Sequence, residues 1–228
     1  MDWNVAVVFI QQAYPYFGIG GSLLIIASML AAGMVYRGKD GERYSVLNHY
    51  ISELGEVGVS RAAPIFNLGL IIGSLAFIPF ITGLTFTLDN LWAKIGLAIG
   101  IWSTLSCALV GVFPMNHMEA HKWVAVSYFR SGLVMVLLYS IAVFVQPATI
   151  VVIPKISNVA GLLAFFCYAA FLFTMDTHKK KDDEPETLET ESEKEWVRPK
   201  VSRFTILEWA ISFSNFLWFL IVALFALR

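Results

Sequence analysis

The chain has 228 residues, 57% hydrophobic and only 14% charged, with a formal net charge of −1. Soluble domains carry about 25% charged residues, so water is not the main solvent of this chain. A balance of 16 basic against 17 acidic residues also argues against nucleic acid as a partner. These figures describe a polytopic membrane protein, read as one transmembrane domain over residues 1–228.

The first stretch, MDWNVAVVFIQQAYPYFG, has no Lys or Arg and so lacks the basic n-region of a cleavable signal. It reads as an apolar lead-in lying along the interface before a first span that is retained. Apolar runs that reach the roughly 20 residues a crossing helix needs predict six spans. They fall at about 18–36, 62–86, 91–113, 122–146, 150–175 and 204–227. Helix is the only form open to them, because the hydrocarbon satisfies no backbone polar group. The expected fold is all-α: an integral membrane six-helix bundle with a short amphipathic interfacial helix in its first loop. Cys107 and Cys167 both fall inside spans, which argues against a disulfide framework.

The interfacial helix is predicted from YSVLNHYISELGEVG. Val46, Leu47, Tyr50, Ile51 and Leu54 lie on one helical face, and His49, Ser52, Glu53 and Glu56 on the other. Gly55 and Gly58 end it, and Pro64 marks the start of span two. Asn67 follows just inside that span. After span three comes GVFPMNHMEAH, which sets His117 and His121 at i, i+4. Such a pair can hold Zn²⁺. It is not the H-E-x-x-H motif, since Glu119 at i+2 projects away. Acid–base work and a purely structural role are the other two readings. Arg130 lies eight residues into span four, about 12 Å at a helical rise. Residues 176–203 are mixed in charge and low in apolar content, and read as a flexible loop. In span six, Glu208, Ser212 and Asn215 at i, i+4 and i+7 form one polar stripe.

Twelve Lys and Arg fall in the loops after spans one, three and five, against Lys94, Lys155 and Arg228 opposite. The positive-inside rule therefore predicts these odd loops in the cytoplasm and both termini outside. Parity is independent of that choice. Odd loops share one membrane face, and the intramembrane polar residues gather there, where they mark a wet or bundle-facing site.

The elements YISELG…APIFNLGLIIGSL, the His121 that opens span four and LEWAISFSNFLWF resemble the DRAM/Sfk-type superfamily of six-span proteins, especially its prokaryotic uncharacterised branch. That superfamily includes autophagy modulators and the factor for lipid remodelling of GPI anchors. The matching positions are Ile51, Ser52, Glu53, Gly55, Asn67, Phe113, Pro114, His121, Glu208 and Trp209. Members often carry an acidic residue shortly after the Phe-Pro pair, where this chain has Asn116. The resemblance implies membrane lipids as partners, with Trp209 among the substrate contacts. It also implies a lumenal first loop, against the charge count.

The enzyme reading is an intramembrane lipid hydrolase or acyltransferase. His121 is its base, with His117 or His49 as helper, and Glu53 or Glu208 orients it. Ser52 is the nucleophile of a covalent route. Arg130 grips a phosphate or carboxylate, and His49, Asn67, Ser212 and Asn215 complete the substrate side. In the metal version, His117 and His121 hold Zn²⁺ that activates water. The alternative is a non-catalytic lipid-binding or scaffold protein, in which Arg130 and Glu208 form a buried ion pair. A transporter fits less well, because no repeated halves are evident.

Overall fold

Apolar runs of this length can only coil, and the computed structural model, which describes residues 3–147, 151–182 and 198–227, shows them doing so. The long helices among the described residues are α1 (Trp3–Val35), α2 (Ala63–Leu88), α3 (Leu91–Val112), α4 (Met118–Phe144), α5 (Asn158–Asp182) and α6 (Arg203–Ala226). All six contain a stretch long and apolar enough to cross a membrane. Each helix packs on its neighbours in the chain, and α6 closes onto α1, so the bundle is a ring in sequence order.

Local chemistry sets the ends. Pro64 sits in the first turn of α2, where its missing N–H is no loss. Asn90 caps α3 by accepting from the Ala93 N–H at 3.1 Å, and its amide donates to the Ala142 carbonyl at 3.0 Å, tying that cap to α4. Buried Gln146 closes α4: its amide donates to the Val143 and Ile153 carbonyls while its oxygen accepts from the Val152 and Ile153 N–H groups.

Three expected boundaries are corrected. Residues before 18 do not lie along the interface as a separate lead-in: α1 is continuous from Trp3, and Tyr14 is buried against Phe80. Span five begins at Asn158 rather than 150, because Pro154 and a 3₁₀ turn over Lys155–Ser157 precede the helix. At the other end, α5 runs to Asp182 and Arg198–Ser202 is docked against the first loop, with the Ser202 N–H donating to the Leu47 carbonyl at 2.7 Å. Of residues 176–203, expected to form a flexible loop, 183–197 lie outside the described residues.

The ring is filled by aromatic side chains. Phe77 and Phe80 of α2 meet Phe219 of α6 at centroid distances of 4.5 and 5.4 Å. Tyr139 of α4 lies against Trp218, and its hydroxyl is 2.6 Å from Thr85 Oγ1 and 3.1 Å from the Ile81 carbonyl. A buried hydroxyl with two partners contributes about 1 kcal/mol net. Tyr139→Phe is therefore expected to lower stability in detergent by about 1 kcal/mol, measured by thermal unfolding. An unchanged midpoint would show that Thr85 is satisfied without it.

Candidate functional site

The first loop is not the expected α-helix. Turns at 45–49 and 57–60 flank a 3₁₀ turn over Ile51–Gly55, and the faces are partly inverted. His49 and Glu53 are buried at 2% and 5% exposure, whereas Val46, Leu47 and Tyr50 are exposed. The reason is pairing: helical spacing sorts side chains by polarity alone, but the buried polar ones find partners here.

Glu53 is the clearest case. Its Oε1 accepts from the Tyr50 N–H at 2.8 Å and from Arg198 Nη1 at 3.0 Å. Its Oε2 accepts from Arg198 Nη2 at 2.9 Å and from the Tyr36 hydroxyl at 3.3 Å. Arg198 Nη1 also donates to the Asn48 carbonyl at 2.8 Å. Hydrogen bonding to Glu53 holds the Arg198 proton more firmly than usual, and burial, reinforced by Glu53, keeps the Tyr36 hydroxyl protonated. One carboxylate thus joins the end of α1, the 3₁₀ turn and the segment leading into α6.

His49 sits beside it, with Nδ1 2.7 Å from Asn48 Oδ1 and its ring edge-on to Tyr36. Trp209 donates to the Tyr44 hydroxyl at 3.2 Å, and Tyr44 donates to the Tyr50 carbonyl at 2.9 Å. Asn67 donates to the Gly55 carbonyl at 3.0 Å and holds the turn from below. Asn116 accepts from the Val57 N–H at 2.8 Å and donates to the Val57 carbonyl at 2.9 Å. A carboxylate at that position could not donate, so this pair of bonds needs the amide.

The 3₁₀ turn is a thin floor between two spaces. Above it lies a polar basin of about 820 Å³, within the range of ligand sites. Lys39, Asp40, Glu42, Arg43, His49, Glu53 and Arg198 line it, so it carries both signs of charge. Below lies a smaller, mainly apolar cavity of about 60 Å³ at the centre of the ring, lined by Ile51, Ser52, His121, Tyr128, Glu208 and Ser212 among others. Ser52 Oγ donates to Met115 Sδ at 3.4 Å. Ser52 lines the lower space and Met115 the upper, so that contact is the partition between them.

Within the lower cavity, His121 Nδ1 lies 2.8 Å from the Phe113 carbonyl. A carbonyl only accepts, so Nδ1 carries the proton and the lone pair belongs to Nε2. Glu208 Oε2 accepts from the Ile51 N–H at 2.9 Å. Asn215 is buried about two turns further along α6, with its Oδ1 unpartnered, and lines neither space.

Of the residues that parity places on one face, Ser52, His121 and Glu208 line the lower cavity together with Ser212, while Glu53, expected in the same cavity, stands with His49 on the other side of the floor. Two expectations are overturned. Arg130 is exposed on the outer face of α4 and lines neither space, so it neither grips a substrate there nor pairs with Glu208. His117 has a non-helical backbone (φ −114, ψ 60) and is exposed, which separates it from the buried His121. Among the described residues no group of three His, Cys, Asp or Glu side chains could hold a metal. The residue that sequence reasoning missed is Arg198. Its only sequence signal is a basic residue a few positions before span six, and its partner is 145 residues away.

A ring of six apolar helices with its polar chemistry at one end defines a multi-pass integral membrane protein. Residues 19–225 match a family of proteins of unknown function, DUF998, and the chain belongs to that family. No curated protein and no solved structure matches it.

Proposed function

We propose that the protein binds a zwitterionic phospholipid across the floor of the first loop, headgroup in the basin and glycerol region toward the cavity below. One observation carries this reading: a single five-residue turn contributes Glu53 to a polar basin of both charge signs and Ile51 and Ser52 to an apolar cavity. Arg43 and Lys39 suit a phosphate, and Asp40 and Glu42 suit an amine. The cavity is too small for an acyl chain as it stands, since about 150 Å³ is needed to admit even benzene. Lipid would enter by separating Ser52 from Met115. The resemblance to the DRAM/Sfk-type superfamily supports lipid as the ligand.

A second reading, ester hydrolysis, is favoured by the His121 Nε2 lone pair and the Ser52 hydroxyl lining the same cavity. Ser52 is bonded to a sulfur rather than to His121, so binding is the better supported of the two.

The test is mass spectrometry of lipids retained by the purified protein. Phosphatidylethanolamine is expected to be enriched several-fold over the bulk membrane and to be lost in Arg43→Ala and in Ser212→Trp, which fills the cavity. A retained pool identical to bulk lipid in all three proteins overturns the binding reading. Release of lysolipid that stops in a folded His121→Ala variant promotes the hydrolase.

A further inference from the structure

Arg130 is exposed in the middle of a membrane span, and its depth can be read from α3. Trp102 Nε1 donates to Ser127 Oγ at 2.9 Å and Ser106 Oγ lies 3.0 Å from the same atom, so Ser127 is level with residues 102–106. The two helices run antiparallel, and Arg130 is three residues on, about 4.5 Å further along. That places it beside the midpoint of Leu91–Val112, roughly 15 Å from either end of α3. A guanidinium on its side chain falls well short of either membrane surface from there, and a cation held at that depth is costly unless it is paired.

Among the described residues no carboxylate stands at that level. Among the described span residues, Glu119 lies in the first turn of α4, Asp176 near the end of α5, and Glu208 is held by the Ile51 N–H. A second copy therefore offers no acid from its described residues at the middle of the bilayer. Arg130 also lies on an outward stripe of α4: Trp123, Val134, Leu137 and Phe144 are all exposed, with the half-buried Ser127 and Ile141 between them. Their steps of seven, four, three and seven residues, counted through Arg130, are the heptad spacing along which one helix seats on another.

We propose that this stripe is the docking seam for a transmembrane helix of a different protein carrying an Asp or Glu near its middle. Arg130 and that acid pair in hydrocarbon, and the apolar positions above and below set the register. The proposal is independent of lipid binding at the first loop, since the stripe lines neither the basin nor the cavity.

The experiment reconstitutes the donor-labelled full chain into phosphatidylcholine vesicles with acceptor-labelled, membrane-spanning Leu/Ala helices bearing one central Glu, Gln or Lys. Energy transfer is expected to report about tenfold tighter association with the Glu helix than with the Gln helix. Arg130→Leu abolishes the preference and Arg130→Glu transfers it to the Lys helix. Both variants keep the wild-type thermal midpoint, because the side chain is exposed. Equal association of the Glu and Gln helices overturns the proposal. So does self-association of the wild type that disappears in Arg130→Leu. Arg130-dependent retention of phosphatidylglycerol, with no preference among the helices, overturns it in favour of a lipid phosphate.

Discussion

Glu53→Gln is expected to lower the stability of the purified protein by about 2–4 kcal/mol, the cost of leaving a largely buried cation without its counter-charge. Glutamine keeps the shape but changes the inventory. The carboxylate accepts four bonds, from the Tyr50 N–H, both terminal nitrogens of Arg198 and the Tyr36 hydroxyl. An amide replaces one acceptor with a donor, so a donor must point at a donor. The Arg198 side chain is 29% exposed against 7% for Glu53, so water screens part of the penalty. Arg198→Ala should cost less, because Glu53 keeps two of its donors. Tyr36→Phe should cost about 1 kcal/mol or less. Thermal unfolding in detergent ranks the three, and hydrogen exchange over residues 45–60 locates the loss. If Glu53→Gln leaves the midpoint and the exchange unchanged, the carboxylate does not organise the odd-loop face.

Gly73→Leu is the second large effect, about 3 kcal/mol or more, from overpacking a helix crossing. At this crossing α1 and α2 touch backbone to backbone. A Cβ on Gly73 would lie 2.9 Å from the Gly21 carbonyl oxygen and 2.5 Å from Ile25 Cγ1, and one on Gly21 2.7 Å from the Gly73 carbonyl oxygen. A carbonyl on a helix cannot move aside as a flexible side chain can, so the helices must part. Membrane helices lack a hydrophobic drive to associate and depend on this close approach for dispersion contact. Parting them loosens Ile25 and Phe66, which wall the inner cavity. Gly20 is the control, because nothing lies within 4 Å of a Cβ there. Gly20→Ala should be neutral or stabilise by up to about 1 kcal/mol through helix propensity. Equal effects at the two positions, read as unfolding midpoints, would count against a close crossing.

Much of the arrangement was legible beforehand. Six spans follow from hydropathy, because a backbone in hydrocarbon must coil over the whole run. Parity follows from the same alternation; it put Ser52, Glu53, His121, Arg130 and Glu208 on one membrane face, and of these Ser52, His121 and Glu208 line one cavity while Glu53 and Arg130 do not. The helical period also placed Glu208, Ser212 and Asn215 on one side of α6; the first two share a cavity, and Asn215 is buried outside it.

Periodicity misled in the first loop, where His49 and Glu53 are buried because Tyr36, Asn48 and Arg198 meet them. It was silent about Arg198, whose partner is brought to it only by closure of α6 onto α1. Span boundaries put Arg130 near the odd-loop face, about 12 Å in, whereas it stands at mid-span on the outside of α4.

The sequence alone therefore determined six runs long and apolar enough to cross a membrane, the parity of the loops between them and the place of each polar residue along its run. All of these depend on distance along the chain. Only the tertiary structure decided which side of each helix looks inward. In water an apolar stripe would announce its own burial, but here the lipid outside and the bundle inside are equally apolar. Exposure of Arg130 and enclosure of His121, nine residues apart on the same helix, are thus set by the neighbours α4 packs against.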